Sequence, residues 1–317
     1  MFRILSSTML CTLLFGCAQA PSSTNSSALN TLYDYQLYSP HTQPITLKQL
    51  VSSAEDADVI LVGEWHTHPA THYFEAQLLH KLTVAKPKLA LSMEQFSRDK
   101  QAIVNQYVDG EIGEQTLKQE ANAWPNYSSD YRPLIEYAKT NNLDVIAANA
   151  PRKIVRCIGR KGTDYVASLP SEQQRWIATK INTEQSPYKT KFMGSMHHGD
   201  LAQNENQYAA QVTWDETMGE SIVNYLNDHP DHLVMHIAGN FHVEDGLGIK
   251  ASILRRNPDL NVLVISITSD PIEPKSDYQL QVLPMPPRYE QEQNRMAAYR
   301  KMMHHSATTA SNSECQQ

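Results

Sequence analysis

Five short apolar runs, Val59–Val62, Leu89–Met93, Val145–Ala148, Val234–Ala238 and Val262–Ile267, stand out along the chain, rich in β-branched residues and flanked by polar or glycine-containing segments. They are shorter than ordinary helices and read as buried strands. Between the first two, Phe74, Leu78, Leu79 and Leu82 recur at helical spacing within residues 69–82, so a helix crosses over there. A helix near Gly248–Arg255 joins the last two in the same way. Strands alternating with crossover helices predict an α/β fold, a mainly parallel β-sheet flanked by helices. The interval from Ala150 to Tyr225 has helical segments but no strand pattern, and reads as an inserted small helical subdomain, residues 150–225. Within it, Ser171 is the expected cap of a helix, and Tyr188 to Asn206, rich in Lys, Met, His, Gly and Asn, is expected to be a long loop or lid. The α/β domain is assigned to residues 29–287. A polar tail follows over 288–317, with a short helix around Met296–Met303 and disorder beyond.

The first residues have a different pattern. Arg3 precedes an apolar run from Ile4 to Phe15, too short to span a bilayer, that ends in Leu14-Phe15-Gly16-Cys17. This is a lipoprotein signal over residues 1–17, with Cys17 as the lipidation site, and Ala18 after it points to the outer membrane. Residues 18–28 are Ser-, Pro- and Asn-rich and read as a flexible tether. With Cys11 in the leader and Cys17 lipidated, Cys157 and Cys315 are the two of the four cysteines left, able to pair in an oxidising periplasm. A net charge of -7 with one short basic run argues against nucleic acid as a partner.

Ligands of parallel sheets bind beyond the carboxyl ends of the strands, and those ends are polar here. The first strand runs into Gly63-Glu64-Trp65-His66, the second into Glu94, and the fourth into Gly239-Asn240-Phe241-His242. Each glycine would allow a sharp exit from its strand and leave the following histidine free over the sheet edge. His66, Glu94 and His242 could then ligate a divalent metal; the plainer alternative makes both histidines turn and helix-end hydrogen-bond partners. His68 and His72 have metal-pair spacing, although a partly exposed helix face explains them as well. Tyr188, Met193, Met196, His197 and His198 concentrate in one segment the side-chain types that ligate haem iron, or else form a solvent-exposed lid. Arg152 and Arg156, in the only basic run, share a helix face where they could pair with ligand carboxylates or simply be solvated. Trp124, Tyr127, Tyr131 and Tyr137 are read mainly as packing residues.

Together these stretches resemble the ChaN-like family of the superfamily that also holds Tiki and TraB proteins. The matching segments are Val59 through His66; Ser92 through Arg98 with Gln101; Trp124 through Tyr131; Val145 through Arg152; Gln211 with Trp214 through Met218; and Ala238 through His242 with Gly246 and Gly248. The resemblance implies a haem-binding envelope lipoprotein of haem and iron uptake, holding a non-covalent b-type haem, with a site that can lie between the two copies of a homodimer. It does not fix the axial ligand. The Tiki branch implies a second reading, a metal-dependent hydrolase in which His66, Glu94 and His242 hold the metal and Glu64 or Glu94 activates water. A third is a non-catalytic module for another tetrapyrrole or a free metal ion.

Overall fold

In a computed structural model, which describes residues 29–196, 199–309 and 315, eight strands form one sheet. They are β1 (Tyr35–Tyr38), β2 (Pro44–Ile45), β3 (Val59–Glu64), β4 (Leu89–Ser97), β5 (Asp144–Asn149), β6 (Leu233–Gly239), β7 (Val262–Thr268) and β8 (Tyr278–Val282). The order is β2-β1-β8-β7-β3-β6-β4-β5. From β8 to β5 all pairings are parallel, and β1 and β2 add an antiparallel edge. The fold is α/β and mainly parallel, as the alternation of patterns predicts.

The helices are α1 (Leu47–Ser53), α2 (Pro69–Ala85), α3 (Gln101–Val108), α4 (Glu114–Glu120), α5 (Arg132–Thr140), α6 (Arg152–Lys161), α7 (Ser171–Gln174), α8 (Pro187–Ser195), α9 (Leu201–Asp228), α10 (Asn240–Val243), α11 (Ile249–Arg256) and α12 (Glu292–Thr309). Alternation along the central strands divides the core in two. Ile60, Val62, Leu91, Met93 and Ile237 meet Phe74, Leu78 and Leu82 of α2 on one face. Val59, Leu61, Ala90, Val234 and Val264 meet Met218 and Ile222 of α9 and Ile253 of α11 on the other. Because both faces are covered, the strands are apolar at nearly every position, which is why they read as continuous runs.

The sheet reverses its direction of growth at β3. The chain moves outward from β3 to β4 and β5, then returns to β6 and on to β7 at the opposite side of β3. In such sheets a crevice opens at the carboxyl ends where the direction switches. Register sharpens the point: Glu64 of β3 lies opposite Gly239 of β6, and Met93, just before Glu94, lies opposite Ile237.

Several expectations change. Residues 188–206 are not a long loop: α8 covers most of the first half and α9 begins at Leu201. Tyr188 and Phe192 pack on Tyr208 and Val212 of α9, so tertiary contact, not an apolar stripe, sustains α8. Ser171 is the first residue of α7 rather than its cap, the capping position being Pro170 with no side-chain bond. The tail helix spans Glu292–Thr309, longer than expected. Cys315 is buried and disulfide-bonded to Cys157 on α6, at a Cα separation of 5.6 Å. Cys17, the tether, and His197 and His198 lie outside the described residues.

Ion pairs fasten α9 to its neighbours. Glu216 is met by Arg255 and Arg256 of α11 and by Ser252 Oγ at 2.9 Å. Arg98, just after β4, donates to Thr217 O at 2.9 Å, to Ser221 Oγ at 2.9 Å and to Glu220 at 3.1 Å. These bonds tie α9 to α11 and to the segment after β4.

His236, in the middle of β6, is fully buried, with Nδ1 2.8 Å from Ser92 Oγ and no partner for Nε2. Burial, with a smaller contribution from the nearby charge of His242, lowers its pKa from 6.5 to about 3. The ring is therefore neutral in the native chain, and the unfolded chain binds the extra proton below pH 6.5. Its contribution to stability is complete above that pH and is lost as pH falls toward 3, at up to about 1.4 kcal/mol per pH unit. Urea unfolding compared at neutral pH and in mild acid should show this loss, and His236→Leu should have a shallower pH dependence than the parent; an unchanged slope would contradict it.

Candidate functional site at the carboxyl edge of the sheet

The site is built around two buried carboxylates, on β3 and β4 at either side of β6, and two histidines that follow β3 and β6. Glu64 closes β3. Its Oε1 accepts from Gln95 Nε2 at 2.8 Å and from Tyr131 OH at 2.9 Å, and lies 2.6 Å from His66 Nδ1. The carboxylate therefore orients the His66 ring through Nδ1 and leaves Nε2 pointing away. Burial acts to lower the His66 pKa, but the hydrogen bond and charge of Glu64, with the charge of Glu94, outweigh it and the net shift is upward. The His66 side chain is 41% exposed, and its ring stands edge-on to Trp124 with centroids 4.9 Å apart. The turn after it passes through Thr67 at φ 71°, a left-handed conformation costly for a β-branched residue.

Glu94 sits on the irregular stretch of β4, where pairing with β5 shifts register between Met93 and Ser97. Its Oε2 accepts from the Gly239 amide at 2.6 Å, and its Oε1 lies 4.0 Å from His242 Nε2. His242, on α10, is buried with Nδ1 2.8 Å from Asp215 Oδ1 of α9. Asp215 Oδ2 accepts from Tyr188 OH at 2.9 Å, and Gln211 Nε2 donates to the same hydroxyl at 3.0 Å. Burial opposes charge on His242, yet Asp215 and Glu94 raise its pKa to about 9. Burial raises Asp215 despite the counteracting imidazole.

The two motif glycines act by leaving room rather than by turning the chain. Gly63 lies within β3, and a Cβ there would collide with the Asn240 side chain. Gly239 has φ -50°, open to any residue, but a Cβ there would stand 3.1 Å from His66 Nε2. The close approach of the two Gly-x-x-His segments thus requires Gly63 and is eased by Gly239.

Two cavities flank this line. One of about 700 Å³ lies over β3, β6 and β7 and is lined by His66, Gln211, Phe241, His242 and Lys275 among others. The other, about 680 Å³, lies over β4 and β5, lined by Glu94, Trp124, Pro125, Pro151, Arg152 and Trp214 among others. His66 and Trp124, in ring contact, stand between them. Arg152 and Trp214 also line a smaller hollow with Arg156 and Phe192.

The residues picked out from sequence divide accordingly. Glu64, His66, Glu94 and His242 come together at one sheet edge. They do not reach metal-ligating spacing as the set His66, Glu94 and His242; among the described residues the one trio whose donor atoms all lie within 4.8 Å of one another is Glu64, His72 and Glu75. Arg152 and Arg156 are exposed at the cleft margin. Tyr188 is buried, and its hydroxyl is committed to Asp215, with its pKa raised by burial and that carboxylate. Met193 and Met196 pack partly buried against the Tyr188–Phe192 cluster with Phe241 and Leu247. His68 and His72 do not form an exposed face: His68 is fully buried, accepting from the Ala70 amide at 3.2 Å as the cap of α2, and His72 is turned inward. Tyr127 and Tyr131 are core residues, while Trp124 reaches the cleft. Asp215, Tyr131, Gln211 and Gln95 lie in segments that carried the family resemblance, but no role was legible from their types; Glu75 gave no signal.

A profile for the family described as haem-binding uptake, Tiki superfamily, ChaN matches residues 50–253. The chain belongs to this family. Among solved structures, that of ChaN of Campylobacter jejuni, which describes cofacial haem binding, aligns with a TM-score of 0.62 at 16% identity, covering 79% of this chain and 98% of that one. An erythromycin esterase mutant in its open conformation aligns with a TM-score of 0.45 at 10% identity, over 84% of this chain and 87% of the esterase. The chain is also similar to the chloroplastic protein RETICULATA-RELATED 5 of Arabidopsis thaliana, 27% identical over 192 residues, 56% of this chain. It spans about a quarter (26%) of that relative's length.

Removing the Asp215 carboxylate would leave the His242 ring and the Tyr188 hydroxyl without their shared buried partner. Asp215→Ala should therefore lose about 3–5 kcal/mol in urea unfolding, whereas Asp215→Asn, which keeps a hydrogen-bonding group in place, should lose less. Equal losses for the two would contradict the assignment.

Proposed function

We propose that this chain binds haem non-covalently in the cleft over the carboxyl edge of its sheet, and that His66 offers Nε2 to the iron. One observation carries this reading: His66 is the sheet-edge imidazole with a half-open ring, held through Nδ1 by a buried carboxylate and placed at the junction of two cavities. A buried carboxylate on the far nitrogen fixes the ring and raises its basicity as a ligand. The surroundings fit the group. Trp124, Pro125, Pro151 and Trp214 supply flat apolar walls, and Arg152 with Lys153 supplies cations for propionate carboxylates. Bound haem would supply the iron; the protein's own part is to orient an imidazole, exclude water from the porphyrin faces and neutralise its acidic edge.

Met193 and Met196, packed on the cluster that includes Phe241, remain second candidates, and His197 and His198 lie outside the described residues. Tyr188 is a supporting residue in this reading, since it holds Asp215. Membership of a haem-binding uptake family supports a role in iron acquisition. The lipobox at Cys17 and the disulfide between Cys157 and Cys315 both suit an oxidising envelope compartment, with the domain lipid-anchored to the outer membrane. The resemblance to the ChaN-like family, in which the haem site can lie at a dimer interface, extends the reading to haem held between two copies of this chain. The metallohydrolase reading is weaker, because His66, Glu94 and His242 do not gather their donor atoms and Glu94 is already bonded to a backbone amide.

Titration of the domain lacking residues 1–17 with hemin should give a saturable, shifted Soret band that survives chelators. His66→Ala should lose the shifted band, and Arg152→Glu should weaken binding about tenfold, a little over 1 kcal/mol. An unaltered band in His66→Ala would reject the ligand; no band in the parent protein would reject haem binding.

A further inference from the structure

Behind the cleft, on the side of the sheet covered by α2, lies a second cluster, made by the other oxygen of Glu64 with two residues of α2 that haem binding does not use. The free oxygen of Glu64, Oε2, is buried and accepts no hydrogen bond. It lies 3.4 Å from His72 Nδ1, which is also 3.0 Å from Glu75 Oε2. Glu75 Oε1 is likewise buried and without a hydrogen-bond partner. The side chains of Glu64 and Glu75 are 0% exposed and that of His72 is 9% exposed. Two carboxylates sealed from water beside one another repel, and each buried charge must be matched or neutralised.

We propose that Glu64, His72 and Glu75 form a binding site for a divalent transition-metal cation of the zinc type. One imidazole and two carboxylates are an N/O donor set suited to such ions. One atom from each residue lies within 4.8 Å of the others, the span that ligands around a single ion occupy. The surroundings are also those of a metal site. His72 Nε2, on the far side of the ring from Glu64 and Glu75, is buried without a hydrogen bond and lies 3.6 Å from Asp130 Oδ2, near enough for a small shift to let that carboxylate orient the ring once an ion is bound. Glu64 is steadied through its other oxygen by Gln95, Tyr131 and His66. Tyr131 closes the cluster, its ring edge-on to His72 with centroids 5.2 Å apart. Spacing along α2 accounts for the pair: His72 and Glu75 are three residues apart on one helical face, directed at the end of β3.

Without a cation the same residues must share protons. Burial and Glu64 push the Glu75 carboxyl upward against the opposing pull of His72, and the surrounding carboxylates overcome burial to raise His72. A cation would displace those protons. Glu64 would then join the two sites, one oxygen on His66 and the other on the ion, so that each site fixes the geometry of the other.

The test uses metal alone and does not depend on haem. The domain lacking residues 1–17, stripped with a chelator and dialysed, is titrated with Co²⁺, read by its visible d–d absorption, and with Zn²⁺, read by competition with a chromogenic chelator. One equivalent should bind. Glu75→Gln, which resembles the protonated acid and should fold, is expected to abolish binding, as is His72→Gln. Asp130→Asn should weaken it about 10–100-fold. Glu94→Gln and His242→Gln should retain it. Absence of stoichiometric binding by the parent protein would overturn the proposal. So would retention of binding in folded Glu75→Gln, or loss in Glu94→Gln or His242→Gln, which would place the ion at the sheet edge instead.

Discussion

The buried carboxylate of Glu64 is the point on which the site depends. It ends a strand whose every residue is buried, so its position is set by the sheet and not by a loop. An ionised carboxylate in such a place is tolerable only if donors converge on it, and Gln95, Tyr131 and His66 do so from three different elements. The same convergence is what gives His66 its orientation. Stability and ligand geometry are therefore two consequences of one set of hydrogen bonds. His242 repeats the arrangement with Asp215, again by a carboxylate from a separate element, but there the ring is buried and the pair knits α9 to the sheet edge.

Close approach of these elements places a steric demand on the backbone. Gly63 and Gly239 meet it by lacking a side chain where Asn240 and His66 must pass. Gly248 does the same beneath the second dyad, where a Cβ would stand 2.6 Å from Asp215 Oδ1. The repeated Gly-x-x-His pattern thus has a packing origin in this fold: parallel strands in register bring two strand ends to the same height, and small residues let the segments beyond them interlock.

What was legible in the sequence follows from how each element is stabilised. The five strands from β7 to β5 are buried on both faces, so their runs are apolar at nearly every position and their ends could be placed within two residues, except the irregular carboxyl end of β4, which runs four residues further. Strands β1, β2 and β8, at one side of the sheet, were invisible because Tyr35–Tyr38 and Tyr278–Val282 mix polar and apolar residues and take their order from pairing with each other. Helix α8 was hidden for a related reason: its sequence has no apolar stripe, and Tyr188 and Phe192 become core only when α9 is beside them. At the site, residues that follow strands were found because topology alone directs them to one edge. Those on the longer helices were found only in part. Whether His72 faces inward depends on the rotation of α2, and the partner that reveals it, Glu75, is an unremarkable acid three residues on. Asp215 and Tyr131 needed the packed structure to show which of their neighbours they serve.

If the strand-end carboxylate sets where a porphyrin is held, the iron must lie beside the ring that Glu64 orients. The direct measurement is an anomalous difference map at the iron edge from crystals of the haem-loaded domain. The account predicts an iron peak at bonding distance from His66 Nε2, within the cleft bounded by Trp124 and Arg152. A peak against α8, or one with no protein nitrogen from the sheet edge beside it, would contradict it.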